Sequence, residues 1–144
     1  MIQLKSKREL EKMREAGRHV GEILQRLGEL AKPGVTTAEL DRVAHAEIRA
    51  RKLESSFLGY APGDNPPFPA VICASVNEEI VHGIPGGRRL VEGDLLKIDF
   101  GAICDGFHAD AAITVPIGEV DEESRRLVST TLSSLYAGVE QMAP

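Results

Sequence analysis

The stretch Leu95–Val115, "LLKIDFGAICDGFHADAAITV", decides how this chain folds. Two apolar runs flank Asp105-Gly106, and an Asp-Gly pair suits a two-residue hairpin turn because both residues tolerate positive φ. With the turn on those residues, Cys104 lies opposite Phe107, Ala102 opposite Ala109, Phe100 opposite Ala111 and Ile98 opposite Ile113. Strand side chains alternate, so these residues share one face, and all of them are apolar. The other face carries Asp99, Gly101, Ile103, His108, Asp110, Ala112 and Thr114. Asp110 then pairs with Gly101 and Asp99 with Ala112, which makes the carboxylates diagonal neighbours with backbones roughly 7–8 Å apart.

Carboxylates are costly to withdraw from water, so two of them inside strand-like runs call for a balancing charge or proton. Their small cross-strand partners leave room above the sheet. Three readings meet the requirement. The face is simply solvated, as one side of an antiparallel sheet often is. Alternatively the pair shares one proton, as in acid hydrolases, although such dyads usually come from two loops. In the third reading the carboxylates converge on cations, and a pair of divalent ions about 3.5–4 Å apart would fit between them. Oxygen ligands joined by one or two histidines favour Mn, Fe, Co or Zn over Mg.

Outward from this hairpin, the chain reads as one modest domain. It has 144 residues, 42% hydrophobic and 27% charged, the balance of an ordinary globular protein. Ser6 with Glu9 and Thr36 with Glu39 form capping boxes. Behind the first, Leu10, Met13, Ala16, Val20, Ile23, Leu24, Leu27 and Leu30 recur at helical spacing up to Pro33-Gly34. Behind the second, Leu40, Val43, Ala44 and Ile48 trace one face to about Lys52. "GYAPGDNPPFP", residues 59–69, reads as an irregular loop because proline neither joins a ladder nor continues a helix. "AVICASV" and "EIVHGI" are expected as short strands about an Asn77-Glu78 turn. Asp121 is the expected N-cap of a last helix whose apolar face is Val128, Leu132, Leu135, Val139 and Met142. Two helices, a run of strands and a helix predict α+β, with helices packed on one face of an antiparallel sheet.

The totals also exclude functions. A net charge of −5 does not supply the basic face that nucleic acid needs. No apolar run reaches the roughly 18 residues of a membrane span, and "MIQLKSKRELEKM" lacks the apolar core of a secretory signal, so the expected location is the cytoplasm. Cys73 and Cys104 lie in strand-like stretches and are expected as buried thiols without a disulfide. His82 is expected at a strand end before Gly83, where an imidazole that titrates near neutrality can shuttle a proton or hold a substrate amide. His19 and His45 read as surface residues of helices. For His108, on the aspartate face, ligand, partner of a ligand and neither all stay open.

Four segments, "EKMREAGRHVGEIL", "KPGVTTAELD", "SVNEEIVHGIPG" and "KIDFGAICDGFHADAA", taken in this order resemble the N-terminal half of a type I methionine aminopeptidase. The resemblance runs over most of Leu10 to Ile117, and its combination of His-Gly-Ile-Pro with two aspartates around an Asp-Gly turn is specific. It implies the N-terminal half of a pita-bread, creatinase/aminopeptidase-like fold over residues 1–144, with the second half absent. It implies that Asp99 chelates one of two divalent ions (Co, Mn, Fe or Zn) and Asp110 bridges both. His82 matches the histidine that contacts substrate at the scissile peptide, and Phe57, Tyr60, Phe68 and Cys73 match the lining of the methionine pocket.

The implied activity is removal of N-terminal methionine from nascent polypeptides met at the ribosome. In this family a histidine and two glutamates of the second half complete the metal site, and nothing after Asp110 matches them. The expectation is therefore a partial site with little or no activity in this chain alone, and an exposed sheet edge prone to self-association. The stretch between Tyr60 and Phe68 is longer and richer in proline than in typical members, and Ala109 stands where glycine is common. The competing readings are an Xaa-Pro aminopeptidase-like peptidase of the same fold, a non-catalytic binding module and an incomplete gene product.

Overall fold

The structure is a computed structural model and describes residues 4–142. Helix α1 (Lys7–Leu30) starts at a capping box: Glu9 N–H donates to Ser6 Oγ at 3.3 Å, and Ser6 N–H donates to the Glu9 carboxylate at 2.7 Å. Helix α2 (Thr37–Arg51) starts the same way through Thr36 and Glu39. Each cap satisfies amides that the first turn leaves without partners, worth about 1 kcal/mol. Helix α1 buries Ala16, Val20, Ile23, Leu24 and Leu27, the inner part of the expected stripe, whereas Leu10, Met13 and Leu30 stay exposed.

The sheet is antiparallel throughout and built around β3 (Leu95–Cys104). On one side β4 (Phe107–Pro116) pairs along the whole length of β3 in the register set by the Asp105-Gly106 turn, from Cys104↔Phe107 to Leu95↔Pro116. Both turn residues have positive φ, 49° and 79°. On the other side β2 (Ile72–Val76) and β1 (Glu54–Ser55) follow one another along β3, with Ile72↔Phe100 and Ser55↔Ala102 among their pairs. The core forms where α1 and α2 cover one face: Ile72, Ala74, Val76, Leu96, Ile98, Phe100 and Ala102 meet Val20, Ile23, Leu27, Leu40, Ala44 and Ile48. This is the expected α+β arrangement with the expected apolar face.

Polar contacts tie the connections to this core. Asp41 on α2 accepts from the amides of Val71 and Ile72 at 2.9 and 3.3 Å and so joins the helix to the start of β2. Buried Asp94 accepts from Asn77 Nδ2 at 2.8 Å and from Val91 N–H at 2.9 Å, while Asn77 Oδ1 accepts from Leu95 N–H. These bonds clamp the ends of β2 and β3 together.

One expected strand is absent. "EIVHGI" is not a strand: residues 79–84 are irregular, and His82 has φ 59°, a left-handed backbone that a ladder does not accept. The pair β1 was not foreseen, since two residues carry no periodicity. The last helix, α3 (Glu122–Glu140), begins at Asp121 as expected, but it buries no residue.

Candidate functional site

The face of β3 and β4 opposite the helices carries the carboxylates. Asp99 faces Ala112 on β4 and Cys73 on β2, and Asp110 faces Gly101. Their carboxyl groups lie close enough for Asp110 to act directly on Asp99. Burial, then the proximity of Asp110 and its charge, push the Asp99 carboxyl up to about 6, while nearby His82 pulls the other way. Burial and the negative charges of Asp99 and Asp110 also push the Cys73 thiol up to about 11. Cys73 is therefore a neutral thiol at physiological pH, suited to line a pocket rather than to ligate.

A cavity of about 600 Å³ opens over this face. Phe57, Tyr60, Phe68, Cys73, His82, Asp99 and Asp110, every site residue expected from the sequence, line it together. Phe57 and Phe68 meet edge to face, with ring centroids 6.5 Å apart at 89°. The room above the sheet that small residues were expected to leave is occupied in part by this aromatic wall. A Cβ on Gly101 would stand 2.9 Å from Phe57 Cε1 and 3.0 Å from Ser56 Cβ. The proline-rich loop folds toward the cavity too: Gly59 N–H donates to Phe68 O and Phe68 N–H to Tyr60 O, both at 2.9 Å, and Pro62, Asn65 and Pro66 line the cavity above this base.

His82 reaches the site from an irregular segment held against β2. Ala74 N–H donates to Gly83 O at 2.8 Å, and Gly83 N–H donates to Ser75 Oγ at 2.9 Å. A Cβ at Gly83 would lie 2.5 Å from Ala74 O, so only glycine permits this approach. His82, next to this anchor, has a left-handed backbone with φ 59°, and such outliers cluster at functional sites.

Sequence reasoning missed Ser56, Ile84, Pro62, Asn65 and Pro66 as cavity residues. Position in the chain carries no signal for them, since each comes from a segment without periodicity. His108, left open, also lines the cavity, and its Nδ1 lies 3.0 Å from Ser56 Oγ. His19 and His45 lie on the helices away from this cavity; His19 Nδ1 contacts Arg51 at 3.2 Å and His45 faces Asp41. Both cysteines are free, Cys73 buried and Cys104 half-buried.

A divalent cation fits the donor set. Two carboxylates forced together, one of them holding its proton to an unusually high pH, are the chemistry that a cation between them relieves. Among the described residues no group of three or more His, Cys, Asp or Glu side chains converges, so the pair is a partial ligand set.

The sequence profile of metallopeptidase family M24 matches residues 11–144. The chain belongs to that family. Its members carry the divalent-metal chemistry that the carboxylate pair suits. The chain is 48% identical over 142 residues to a methionine aminopeptidase of Clostridium acetobutylicum, covering 98% of this chain and 55% of that protein. The crystal structure of a methionine aminopeptidase from Thermotoga maritima matches all of this chain and 56% of its own, with a TM-score of 0.92 at 32% identity. This likeness confirms the pita-bread fold expected of the M24 family. Aminopeptidase P of Escherichia coli shares the fold alone, with a TM-score of 0.80 at 22% identity over 97% of this chain and 30% of that one. The chain spans about half the length of the curated relatives it matches.

Proposed function

We propose that residues 1–144 form the N-terminal half of a methionine aminopeptidase-like catalytic domain, which removes N-terminal methionine from polypeptides by metal-dependent hydrolysis. The observation that carries this reading is the single cavity that brings the carboxylate pair, His82 and an aromatic wall together. Asp99 and Asp110 would hold the metal, with Co, Mn, Fe or Zn as the candidate ions and a second set of ligands needed to complete a dinuclear centre. Bound there, divalent ions would polarise the scissile carbonyl and activate a water.

The chain's own residues do the rest. Phe57, Phe68, Tyr60 and the neutral Cys73 thiol give a flexible thioether aromatic edges and a sulfur to pack against. Exposed His82, close enough to Asp99 to favour its charge, holds the amide of the scissile peptide by a hydrogen bond from its ring. Nascent chains at the ribosome in the cytoplasm are the substrate this site suits. Among the described residues no strand pairs with the outer edge of β4, and that edge favours self-association at high concentration.

The test joins this chain to the remaining C-terminal portion of the Clostridium acetobutylicum relative and measures methionine release from Met-Ala-Ser with Mn, Co or Fe. Release that needs metal, is lost in Asp110→Asn and is absent on Ala-Pro supports the reading. Preference for Ala-Pro, or no release from either peptide, overturns it. The unjoined chain is expected to release little or none.

A further inference from the structure

His108 is exposed on the open face of β4, two positions before Asp110, and lines the same cavity. An exposed imidazole is ordinarily content with water, yet this one is tethered: its Nδ1 lies 3.0 Å from Ser56 Oγ. The tether crosses the sheet. Ser56 belongs to the opposite side of β3, where its N–H donates to Gly101 O at 3.1 Å, and its Cβ would crowd any side chain at Gly101. The bridge from β4 to Ser56 therefore passes over the one position in β3 that lacks a side chain. Ser56 also directly precedes Phe57 of the aromatic wall.

The chemistry of the bridge sets the ring's remaining nitrogen. A serine hydroxyl donating to Nδ1 leaves the neutral imidazole with its proton on Nε2, as a donor. A peptide bound in this cavity presents N–H and amine groups, which the carboxylates attract, and carbonyls, which need donors. Asn65 Nδ2 already gives one N–H to Pro62 O at 2.9 Å, and the Ser56 hydroxyl is taken up by its 3.0 Å contact with His108 Nδ1. With His82 engaged at the scissile peptide, the Nε2–H of His108 joins the Tyr60 hydroxyl as a donor open to a carbonyl farther along, and the His108 ring is held in place by the Ser56 bridge.

We propose that His108 is a substrate-binding residue that donates from Nε2 to a peptide carbonyl beyond the scissile bond, and that Ser56 is the positioning residue that holds its ring. The inference rests on the peptidase reading above and deepens it: the site would take peptides rather than single-residue amides.

The first readout needs no metal and no turnover. Nitrogen-15 shifts of the His108 ring in this chain at pH 8 are expected to show the Nε2–H form, and Ser56→Ala to mix the two forms while Ser56→Thr retains it. The second is binding of Met-Ala-Ser and of methioninamide to the Mn-loaded protein in which this chain is joined to the C-terminal portion of the Clostridium acetobutylicum relative. His108→Ala is expected to weaken the tripeptide about fivefold, the worth of one net hydrogen bond, and to leave methioninamide unchanged. His108→Gln, which keeps an acceptor for Ser56 and an N–H donor, should restore most of the loss. If the joined protein with wild-type His108 binds neither probe, the peptidase reading falls and this inference with it. If it binds both and His108→Ala weakens neither or both equally, or if the ring form ignores Ser56→Ala, this inference alone is overturned.

Discussion

Gly101 and Gly83 shape the cavity by what they lack. Gly101→Ala drives a Cβ into Phe57 and Ser56, whose side chains can give way, and we expect a loss of about 1–3 kcal/mol by chemical denaturation with the aromatic wall displaced. At Gly83 the obstacle is the Ala74 carbonyl, which cannot rotate aside, so Gly83→Ala is expected to cost more and to move His82. Asp99 has its own signature. Its folded pKa of about 6 lies above the ordinary 3.8, so folding favours the protonated carboxyl. This stability is fully present below the ordinary value and is lost as pH rises through 6. In EDTA, thermal melts should therefore show Asp99→Asn more stable than the parent at pH 7, by about 1–2 kcal/mol, with the difference shrinking toward pH 4. An equal difference at both pH values would show that the shift is not what separates them.

At the scale of elements, the hairpin of β3 and β4 sets the register, and the Asn77–Asp94 clamp holds β2 against it. Asp94 is buried with both carboxylate oxygens engaged. Asp94→Ala strands the Asn77 amide and the Val91 N–H together, and about 2–3 kcal/mol of stability should disappear in urea unfolding. Helix α1 is held to the hairpin turn by an exposed contact as well: Lys12 Nζ lies 3.3 Å from Asp105 and 5.9 Å from the centre of the Phe107 ring. Partly exposed ion pairs are worth little, so Lys12→Ala is expected to shift stability by under about 1 kcal/mol. The apolar stripe of α1 at Val20, Ile23 and Leu27 carries the packing instead, and Leu27→Ala should cost about 2–5 kcal/mol.

Taken whole, the molecule is unevenly consolidated. Its exposed surface is 9713 Å², against about 7,200 Å² for a compact monomer of this mass. Helix α3 accounts for part of the excess, with Leu127, Leu132, Leu135, Tyr136 and Val139 all at least half exposed. A helix with no buried residue is held by its own hydrogen bonds, by the exposed Arg125–Glu119 pair and by its Asp121 cap, where Ser124 N–H donates to the carboxylate at 2.6 Å. Hydrogen exchange in the chain alone is expected to be fast throughout α3 and slow in β3 and the middle of α1. Protection in α3 equal to that of β3 would mean that another surface covers it in solution.

Local patterns were legible without coordinates. The Asp-Gly turn placed Asp99 and Asp110 on one face because strand periodicity is strict, and the capping boxes placed the helix starts because orphan amides need partners. Chain-order signals could not show that Ser56 meets His108, that Gly101 clears a path for Phe57, or that residues 79–84 abandon the strand to bring His82 over the carboxylates. Nor could apolar spacing in α3 say whether its face is covered. Short-range sterics and hydrogen bonding act between neighbours and can be read along the chain. Contacts between distant segments depend on which surfaces the folded sheet and helices leave open, and only the tertiary structure decides that.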